Sequence, residues 1–583
     1  MPRLAVVERE KCSPIECGNY LCMRFCPVNR TGKECILIGQ DRKVNIDEKL
    51  CTGCGICVKK CPFGALHIIN LPEEIAKQPI HQFGKNGFRL YNLPMPLFGR
   101  VVGVLGKNGI GKTTAIKILA QALKPNMGFE KEAGISELIG FFKGSEAQKF
   151  FEMVRDGEIK VSYKPQAVDL IPRSAKGKVS ALLRKVDERK RFDEIVTELE
   201  LNSVLENDIS EVSGGELQRV AIAAALLRDA NVYIFDEPSS YLDIRQRMKV
   251  SKLIRNFTGD AAILVVEHDL VMLDYIADMI CIMHGEEACY GICTNPLAAK
   301  AGINTYLSGF LRAENLRFRE NEIKFQVKPK ERSMSERKLV SWDSITKRMG
   351  NFSLEAREGH LSQKQVIGVL GPNGIGKTTF VKILAGAIKQ DSGNVDRSVR
   401  VSYKPQYLSG NEDVAVSAIL KDAIEKYETQ LIRPLGLKHL LAKKVKELSG
   451  GELQRAAVAE CLSKDADVYL LDEPSAFLDV EQRLIVSKVI KERLELSEKA
   501  ALVVDHDLLF IDYLSDGIMN FSGVPAREGY AEGPFSMEEG MNHFLEELNT
   551  TLRRDPESHR PRINKPDSQM DKKQKAEGKL YYA

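Results

Sequence analysis

Two runs of four cysteines near the start of the chain have the residue type and spacing that bind iron–sulfur clusters. The members of the first run are Cys12, Cys17, Cys22 and Cys26. The members of the second run are Cys51, Cys54, Cys57 and Cys61. The second run has the C-x2-C-x2-C-x3-C-P spacing of bacterial ferredoxins, whereas the first is stretched. Short gaps let thiolates wrap one compact cluster, and glycines between them permit the tight turns.

In two-cluster ferredoxins the fourth cysteine of each run binds the other cluster, and this crossing predicts two [4Fe–4S] clusters. The ligands of one cluster would be Cys12, Cys17, Cys22 and Cys61. The ligands of the other would be Cys51, Cys54, Cys57 and Cys26. The alternative is two zinc sites with four thiolates each, although zinc ribbons usually offer two separated C-x2-C pairs. Cys35 lies outside both runs, and we interpret it as structural.

Two glycine-rich loops, GKNGIGKT from Gly106 and GPNGIGKT from Gly371, indicate nucleotide binding. Each matches G-x4-G-K-[ST] and follows an apolar run typical of a strand. Backbone N–H groups of such loops wrap phosphates at a helix N-terminus, the lysine reaches the β- and γ-phosphates, and the threonine binds Mg2+. The predicted loop residues are Gly106, Asn108, Gly109, Gly111, Lys112, Thr113, Thr114, Gly371, Asn373, Gly374, Gly376, Lys377, Thr378 and Thr379.

The loop is one of four motifs that occur twice in the same order, which indicates a duplicated domain. NGIGKTT begins at positions 108 and 373, VSYKPQ at 161 and 401, SGGELQR at 213 and 449, and DEPS at 236 and 472. Apolar runs lead into the DEPS acids. We expect Asp236 and Asp472 to hold Mg2+, and Glu237 and Glu473 to orient or polarise the attacking water. The alternative is a structural acid cluster.

Two further features complete each copy. His268 and His506 follow later apolar runs, and their matching positions favour γ-phosphate sensing over ordinary core packing. The SGGE turns expose backbone donors at the positive end of a helix. Because each copy already holds phosphates with its own loop, we expect each turn to cap the nucleotide of the other copy. The turn residues are Ser213, Gly214, Gly215, Ser449, Gly450 and Gly451.

The composition of the 583-residue chain fits a cytoplasmic protein. Nine of its 13 cysteines precede residue 62, which favours metal over disulfides, and we interpret the other four as small buried hydrophobes. No apolar run reaches the roughly 18 residues of a membrane span, and no signal peptide is indicated. Net charge is +4, but residues 312–338 and 551–583 are basic. These two segments are either nucleic-acid contacts or a solvated linker and a solvated tail.

With Gln166 and Gln406 as Q-loops and SYLD and AFLD as D-loops, the ordered motifs resemble ATP-binding cassette ATPases. Tandem cassettes behind a two-cluster domain resemble one family in particular, the ribosome-recycling ATPase of archaea and eukaryotes, also called RNase L inhibitor. The implied fold is α/β, with two tandem ATP-binding cassette (P-loop NTPase) domains preceded by a ferredoxin-like Fe–S domain.

The expected domains follow from this resemblance. They are the Fe–S domain (1–75), nucleotide-binding domain 1 (76–310), a basic hinge (311–338), nucleotide-binding domain 2 (339–540) and a basic hinge or tail (541–583). The first copy is longer between loop and Q-loop. ISELIGFF and EAQKFFEMVRD predict a helix-loop-helix insertion near 130–157, with Ser145 and Gln148 as a capping box for its second helix.

The resemblance also implies head-to-tail cassettes that enclose two ATP–Mg2+. One site would join the first phosphate loop to the second SGGE turn, and the other would join the second phosphate loop to the first SGGE turn. The implied catalytic residues are Glu237, Glu473, His268 and His506. The implied Mg2+ site residues are Thr113, Gln166, Asp236, Thr378, Gln406 and Asp472. Phe83, Phe88 and Phe352 would stack on adenine, with core packing as the alternative; Met349 stands where a second aromatic is expected.

The function implied is a soluble ATPase that couples ATP hydrolysis to splitting of ribosomes into subunits, with the Fe–S domain as a mechanical lever. Implied partners are the ribosome, its small subunit and rRNA, a peptide release factor or its rescue paralogue Pelota, and initiation factors; we expect a monomer with ATP or ADP bound and no membrane partner. The helix-loop-helix would contact the small subunit. Candidate rRNA contacts are Arg312, Arg317, Arg319, Arg553 and Arg554.

Three other functions are open at this stage. An ATPase subunit of a membrane transporter would have no use for the cluster domain. An ATP-gated electron carrier would transfer electrons to an acceptor in an ATP-dependent way. A cassette ATPase of DNA repair, or another cassette ATPase of the translation type, would usually lack cysteine runs of the ferredoxin kind. Nucleotide-dependent cosedimentation with ribosomal subunits separates all three from recycling, whereas a further part in initiation stays open.

Overall fold

The computed structural model describes residues 3–70, 78–257, 259–325, 337–396, 399–406 and 413–581. Residues 326–336 of the predicted hinge and the predicted domain boundary near residue 75 lie outside these ranges. The described chain folds into a small cluster domain, two cassettes and a C-terminal tail, in that order. This order is the predicted α/β architecture.

The cluster domain is built from two small antiparallel sheets, β1 with β4 and β2 with β3. Its strands are β1 (Arg3–Val7), β2 (Ile36–Ile38), β3 (Val44–Ile46) and β4 (Leu66–Asn70). Its helices are α1 (Leu21–Phe25), α2 (Pro27–Arg30) and α3 (Ile56–Lys60). Because side chains alternate along a strand, β1 packs Ala5 and Val7 into the cysteine-rich core and turns Leu4 and Val6 toward the first cassette.

The first cassette centres on one mixed sheet with the order β5-β6-β12-β11-β7-β10-β9-β8, with β13 beside β11. Its strands are β5 (His81–Gln82), β6 (Arg89–Tyr91), β7 (Val101–Gly106), β8 (Val161–Lys164), β9 (Val232–Asp236), β10 (Ala262–Val266), β11 (Met279–Glu286), β12 (Tyr290–Cys293) and β13 (Leu297–Ala298). Its helices are α4 (Lys112–Leu119), α5 (Ile135–Phe141), α6 (Glu146–Arg155), α7 (Ile171–Ser174), α8 (Val179–Lys185), α9 (Phe192–Glu198), α10 (Gly214–Leu227), α11 (Ile244–Phe257), α12 (Leu270–Ile276) and α13 (Ala299–Ser308). Strands β7, β9 and β10 are apolar and buried throughout, as expected for the centre of a parallel sheet.

Helices α5 and α6 occupy the region of the predicted helix-loop-helix. Their buried faces meet through Phe142 and Phe151, whose stacked rings are 5.5 Å apart. The predicted capping box at the start of α6 is wrong. Ser145 is the N-cap, but its hydroxyl donates to the Phe142 carbonyl, and Gln148 accepts from the N–H of Gly144. The turn after α5 is tight. The Phe142 carbonyl therefore lies closer to the Ser145 hydroxyl than the backbone N–H groups in the first turn of α6 do.

The second cassette repeats the first sheet in the order β17-β18-β25-β24-β20-β23-β22-β21. Two short strands, β14 (Phe310–Leu311) and β15 (Leu316–Arg317), precede it. Its strands are β16 (Lys338–Trp342), β17 (Ile345–Met349), β18 (Phe352–Ala356), β19 (Gly359–Ser362), β20 (Val366–Leu370), β21 (Val401–Lys404), β22 (Val468–Asp472), β23 (Ala500–Val504), β24 (Gly517–Val524) and β25 (Glu528–Ser536). Its helices are α14 (Lys377–Leu384), α15 (Val416–Ile419), α16 (Lys421–Tyr427), α17 (Gly450–Ser463), α18 (Val480–Ser497), α19 (Leu508–Leu514) and α20 (Met537–Glu547).

The tail folds back across both cassettes. It contains β26 (Leu552–Arg554), β27 (Pro561–Ile563) and α21 (Gln569–Glu577). Arg560 is fully buried and donates to Asp274 of the first cassette at 3.0 Å, and Arg562 donates to the other oxygen of the same carboxylate at 3.0 Å. Part of the basic tail is therefore used inside the molecule.

Two of the five arginines proposed for rRNA contacts also have internal partners, and the prediction is wrong for the one that is buried, Arg319. Arg319 is buried, and its Nε lies 3.3 Å from a Glu481 carboxylate oxygen of the second cassette. Arg554 lies 3.3 Å from a carboxylate oxygen of Asp512. Arg312 and Arg317 are exposed and Arg553 is half-buried. In the ranges that the structure describes, no helix is both long enough and apolar enough to cross a lipid bilayer.

The Asp274 contacts lead to a test of tail docking. Replacing a buried charge partner leaves the remaining charge uncompensated, which costs about 3–5 kcal/mol. We expect Asp274→Asn to destabilise the docked tail by this amount, seen as faster amide exchange of β27 by mass spectrometry. Asp229→Asn is the control, because Asp229 pairs with Lys160 at the surface, where such pairs contribute less than about 1 kcal/mol. Equal exchange of β27 in both variants would contradict the role of Asp274.

Candidate functional site

Both phosphate loops join a buried strand to a helix. In the first cassette β7 ends at Gly106 and α4 begins at Lys112. Gly111 precedes α4 with a φ of +85°, and a Cβ there would come within 2.6 Å of the Phe88 ring, so only glycine fits. The Lys112 ammonium is buried and donates to the carbonyls of Gly106 at 3.0 Å and Lys107 at 2.6 Å. Its side chain thus lies within the curve of the loop.

The second loop repeats this geometry. Lys377 donates to the carbonyls of Gly371 at 2.7 Å and Pro372 at 2.6 Å. Burial lowers the pKa of Lys377 to about 8, against the opposing effect of nearby carboxylates. Burial likewise lowers the pKa of Lys112. A buried ammonium without a carboxylate in direct contact favours an anionic ligand, which is what a nucleotide phosphate supplies.

The predicted Mg2+ carboxylates lie at the ends of strands β9 and β22, beside the loops. The Thr378 hydroxyl donates to Asp472 at 2.8 Å, and Thr113 stands at the matching position of the first cassette, in the first turn of α4. Burial and the neighbouring Glu237 raise the pKa of Asp236 to about 6. A hydroxyl and a carboxylate at this spacing are the oxygen donors that Mg2+ prefers.

The two predicted catalytic glutamates follow these aspartates in a strained backbone conformation. Glu237 has a φ of +48° and Glu473 a φ of +47°, values that non-glycine residues rarely adopt. The Gln166 amide donates to the Glu237 carboxylate at 2.7 Å, and the Gln406 amide to Glu473 at 2.6 Å. The structure therefore brings Q-loop and glutamate together in both copies.

The predicted sensor histidines lie beside the same glutamates. His268 Nε2 is 3.5 Å from the Glu237 carboxylate, and His506 Nε2 is 3.7 Å from Glu473. Burial opposes ionisation of Glu237, but the adjacent His268 and the positive charge of Lys112 outweigh it and lower its pKa to about 2. For Glu473, burial and the nearby Asp505 and Asp472 raise the pKa to about 7. The two sites have the same layout and different electrostatics.

Two lysines that the sequence analysis assigned no role support both glutamates. Lys164 is buried and donates to the carbonyls of Asp236 at 2.8 Å and Glu237 at 3.1 Å. Lys404 does the same for Asp472 at 2.7 Å and Glu473 at 3.2 Å. These bonds satisfy the carbonyls of the strained turn. The available signal was the repeated VSYKPQ motif, in which both lysines stand at the same place.

The D-loops link each cassette to the phosphate loop of the other. Asp479 accepts from the Asn108 N–H at 3.0 Å with one carboxylate oxygen and caps its own helix, α18, with the other at 2.9 Å. Asp243 accepts from the Asn373 N–H at 2.9 Å in the same way. The sequence motifs predict these loops but not their partners in the other cassette.

Each D-loop also packs on the SGGE turn of its own cassette. Carbon atoms of the Tyr241 ring would lie 3.5 Å from a Cβ at Gly214, and those of Phe477 would lie 3.3 Å from a Cβ at Gly450. The Tyr241 and Phe477 rings meet edge to face with centroids 6.5 Å apart. Because the D-loop contacts its own turn and the opposite phosphate loop, it places these two predicted halves of one nucleotide site side by side.

The serines of the SGGE turns act as helix caps. Ser213 and Ser449 are the N-caps of α10 and α17, and each side chain accepts from the glutamate N–H three residues later at 3.4 Å. The glycine N–H groups that follow stand at the positive end of a 14-residue helix. Such an end suits an anion.

The three predicted adenine-stacking rings occupy two kinds of position. Phe88 and Phe352 pack on the glycine that precedes the phosphate-loop helix, α4 or α14. Their rings lie 2.6 Å and 3.0 Å from the position that a Cβ would take on Gly111 and Gly376. Phe83 is 48% exposed, its ring 6.4 Å from that of Phe88. Met349 pairs with Phe352 across strands β17 and β18 and is 39% exposed. Stacking on adenine stays a prediction for all three rings.

The cysteines of the cluster domain line two cavities. One is lined by Cys12, Cys17, Cys22 and Cys61. The other is lined by Cys26, Cys51, Cys54, Cys57 and also Cys35. Each predicted quartet therefore converges on its own cavity, with the fourth member of each run in the cavity of the other. The remaining cysteines, Cys281, Cys289, Cys293 and Cys461, are buried.

Two cassettes of this fold, each with phosphate loop, acid pair and sensor histidine, define an ATP-binding cassette ATPase, and the cysteine cavities define an iron–sulfur protein. Known families agree with this class. The ABC transporter ATP-binding family matches residues 97–240 and 354–476, and the 4Fe-4S binding domain family matches residues 44–67. A family described as "Possible Fer4-like domain in RNase L inhibitor, RLI" matches residues 2–34.

The chain belongs to the RNase L inhibitor family. It is 43% identical to "Translation initiation factor RLI1" of Saccharomyces cerevisiae, over 100% of this chain and 98% of that protein. A structure titled "Model of ribosome-bound archaeal Pelota and ABCE1" matches 100% of this chain and 99% of its own, with 51% identity and a TM-score of 0.93. A crystal structure of archaeal ribosomal stalk protein aP1 with archaeal ribosome recycling factor aABCE1 also matches. It covers 87% of this chain and 99% of its own, with 49% identity and a TM-score of 0.83. The resemblance to this family is confirmed.

The glutamate geometry predicts a defect in chemistry rather than in binding. We expect the double variant Glu237→Gln, Glu473→Gln to hydrolyse ATP with a kcat about 10²–10⁴-fold lower, because an amide cannot polarise the attacking water. ATP binding, measured by equilibrium dialysis, should be retained, since the phosphate loops are unchanged. Glu194→Gln is the control, because Glu194 is exposed and pairs with the nearby Arg191 at the surface. A double variant with near-normal kcat would contradict the assigned role.

Proposed function

We propose that this ATPase splits ribosomes into subunits after termination or rescue. The observation that carries the proposal is the reciprocal bonding of Asp479 to the first phosphate loop and Asp243 to the second. Each nucleotide then lies between the cassettes, so that binding and release of ATP change how the cassettes fit together. The product of ATP hydrolysis that we propose for this protein is the relative motion of its cassettes.

The relatives of this chain indicate that the motion acts on the ribosome. Two solved relatives are described as ribosome-bound and as a ribosome recycling factor in complex with a ribosomal stalk protein, and this chain matches nearly the whole length of each. The first of these structures also contains Pelota, and the yeast relative is described as a translation initiation factor. We propose the ribosome, with its small subunit and rRNA, as the partner of this chain, joined by a release factor or Pelota, and initiation factors as further partners.

A β-hairpin provides a route from the first nucleotide site to the cluster domain. The turn between β11 and β12 touches the phosphate loop, since the Ala288 N–H donates to the Gly109 carbonyl at 3.1 Å. On its other side Cys289 and Tyr290 pack against Leu4 and Val6 of the cluster domain. The second cassette has the same loop contact, Ala526 N–H to Gly374 at 3.0 Å, without a cluster domain beyond it.

We propose that the two cysteine cavities each hold one [4Fe–4S] cluster and that Mg2+ binds at Thr113 with Asp236 and at Thr378 with Asp472. The cavities fit this assignment because each offers the four thiols of a predicted quartet in a largely apolar pocket, with Cys35 as a fifth thiol in one of them. Thiolate ligation ties together a domain whose own core is small, and the result is a stiff arm. A stiff arm transmits the motion of the first cassette to a ribosomal subunit.

Contacts with the ribosome are proposed at two places. The helix-loop-helix α5–α6 belongs to the first cassette, and the exposed Arg312 and Arg317 lie in the part of the chain that leads from the first cassette to the second. Arginines at an exposed position bind phosphates without reading sequence, and this binding weakens as salt rises. These sites position the ATPase and leave the cluster domain free to act as the arm.

Ribosome binding and splitting test the proposal directly. We expect the cluster-loaded full chain to cosediment with small subunits in the presence of a non-hydrolysable ATP analogue, and to split ribosomes over many turnovers with ATP. The Glu237→Gln, Glu473→Gln variant should bind but should not sustain multiple turnover, whereas Glu194→Gln should behave as the wild type. Binding that is indifferent to nucleotide, or sustained splitting by the double variant, would overturn the proposal.

The role of the clusters has its own test. We expect Cys57→Ala, which removes one ligand from one cavity, to halve the iron and sulfide content and to abolish splitting while ATP hydrolysis persists. Hydrolysis persists because both nucleotide sites lie in the cassettes. Cys461→Ala is the control, since Cys461 is buried in the second cassette. Full splitting by Cys57→Ala protein with reduced iron would show that the stiff arm is not the working part.

A further inference from the structure

The interface between the cluster domain and the first cassette contains a group of donors that neither the clusters nor the nucleotide sites use. The face of the β1–β4 sheet that meets the cassette consists of Leu4, Val6, His67 and Ile69. Three of these side chains are apolar, and they pack on Cys289 and Tyr290. His67 is thus the polar member of an apolar face.

The donors around His67 come from both domains. Glu286 ends strand β11, and Cys289 lies in the turn that follows. The donor atoms of His67, Glu286 and Cys289 all lie within 4.8 Å of one another, and His67 Nδ1 is 4.0 Å from the Glu286 carboxylate. Cys289 is fully buried, His67 is mostly buried, and Glu286 is about half exposed.

The other nitrogen of His67 has the partner that metal-binding histidines commonly have. His67 Nε2 lies 2.8 Å from a carboxylate oxygen of Glu8. A carboxylate on one imidazole nitrogen fixes the tautomer and leaves the other nitrogen, here Nδ1, as an acceptor for a metal. Nδ1 is the nitrogen that lies 4.0 Å from the Glu286 carboxylate. Lys11 neutralises the second oxygen of Glu8 at 2.7 Å.

We propose that His67, Glu286 and Cys289 form a Zn2+ site that joins the cluster domain to the first cassette. A thiolate, an imidazole and a carboxylate select zinc over Mg2+ or Ca2+, which prefer oxygen donors alone. Bonds of about 2.0–2.3 Å at tetrahedral angles place donor atoms less than about 4 Å apart, so the three side chains need only a small approach. The exposed side at Glu286 leaves the fourth position to water.

Zinc binding at this site releases one proton and leaves no net charge on the ion and its ligands. The Cys289 thiol releases its proton to solvent, and the thiolate and carboxylate then neutralise the ion. Because the ligands belong to two domains, the ion holds the arm against the cassette, next to the hairpin that touches the phosphate loop. The site does not depend on the proposed function, since the ion binds whether or not the protein acts on ribosomes.

Zinc analysis of the full chain tests the site. The cluster-loaded protein is dialysed anaerobically against buffered micromolar Zn2+, and zinc and iron are measured by mass spectrometry. We expect one zinc per chain with unchanged iron in the wild type, and at least tenfold weaker binding in Cys289→Ser and in His67→Gln. Cys293→Ser is the matched control, because Cys293 is equally buried at the end of β12 and is not part of the group.

X-ray absorption at the zinc edge distinguishes the sources of any zinc found. One sulfur at about 2.3 Å with nitrogen and oxygen ligands at about 2.0 Å supports the site. Two or more sulfurs would place the ion in the cluster cavities, and no sulfur would place it on surface carboxylates; either outcome overturns the proposal. Equal zinc binding by the wild type and His67→Gln overturns it as well, and His67→Gln removes no buried thiol from the fold.

Discussion

The organisation of this molecule depends on two carboxylates that each serve two cassettes. Asp479 caps helix α18 of its own cassette with one oxygen and holds the Asn108 N–H of the other cassette with the second. Asp243 caps α11 and holds Asn373 in the same manner. Because a helix cap is rigid, the phosphate loop opposite is positioned against a helix rather than a mobile side chain. This sharing ties the phosphate loop of each cassette to a helix of the other in a reciprocal way.

The cluster domain is attached to the first cassette by specific contacts as well as by the chain itself. Asn86 donates to the carbonyls of Ala5 and Ile46 at 3.1 Å and 3.0 Å and accepts from the Ile46 N–H at 2.9 Å. Arg89 donates to Glu48 at 2.9 Å. Asn86 is buried, so its hydrogen bonds replace water on both sides and a shift of the domain must break them together. A domain held in this way moves as a unit with the cassette beneath it.

Local motifs could be predicted from the sequence because their chemistry depends on neighbouring residues. A glycine at position 111 is required by the backbone itself, and the cysteine spacing of the second run needs no distant partner to be recognised. Tertiary partners could not be predicted in this way. The basic run around Arg319 shows charge but not the half-buried Glu481 that lies beside it, and the cap at Ser145 depended on how tightly the preceding turn closes. Lys164 and Lys404 stood in a visible repeat, yet their role exists only where two strands end side by side.

The pairing of Arg560 with Asp274 joins residues that are 286 positions apart in the chain. Domains made early in synthesis generally fold before the later ones appear. Here the first cassette holds a carboxylate whose two arginine partners are translated after the whole of the second cassette. The final packing of the part made first must therefore wait for nearly the last residues, and a nascent chain that stops short of them leaves that cassette unfinished.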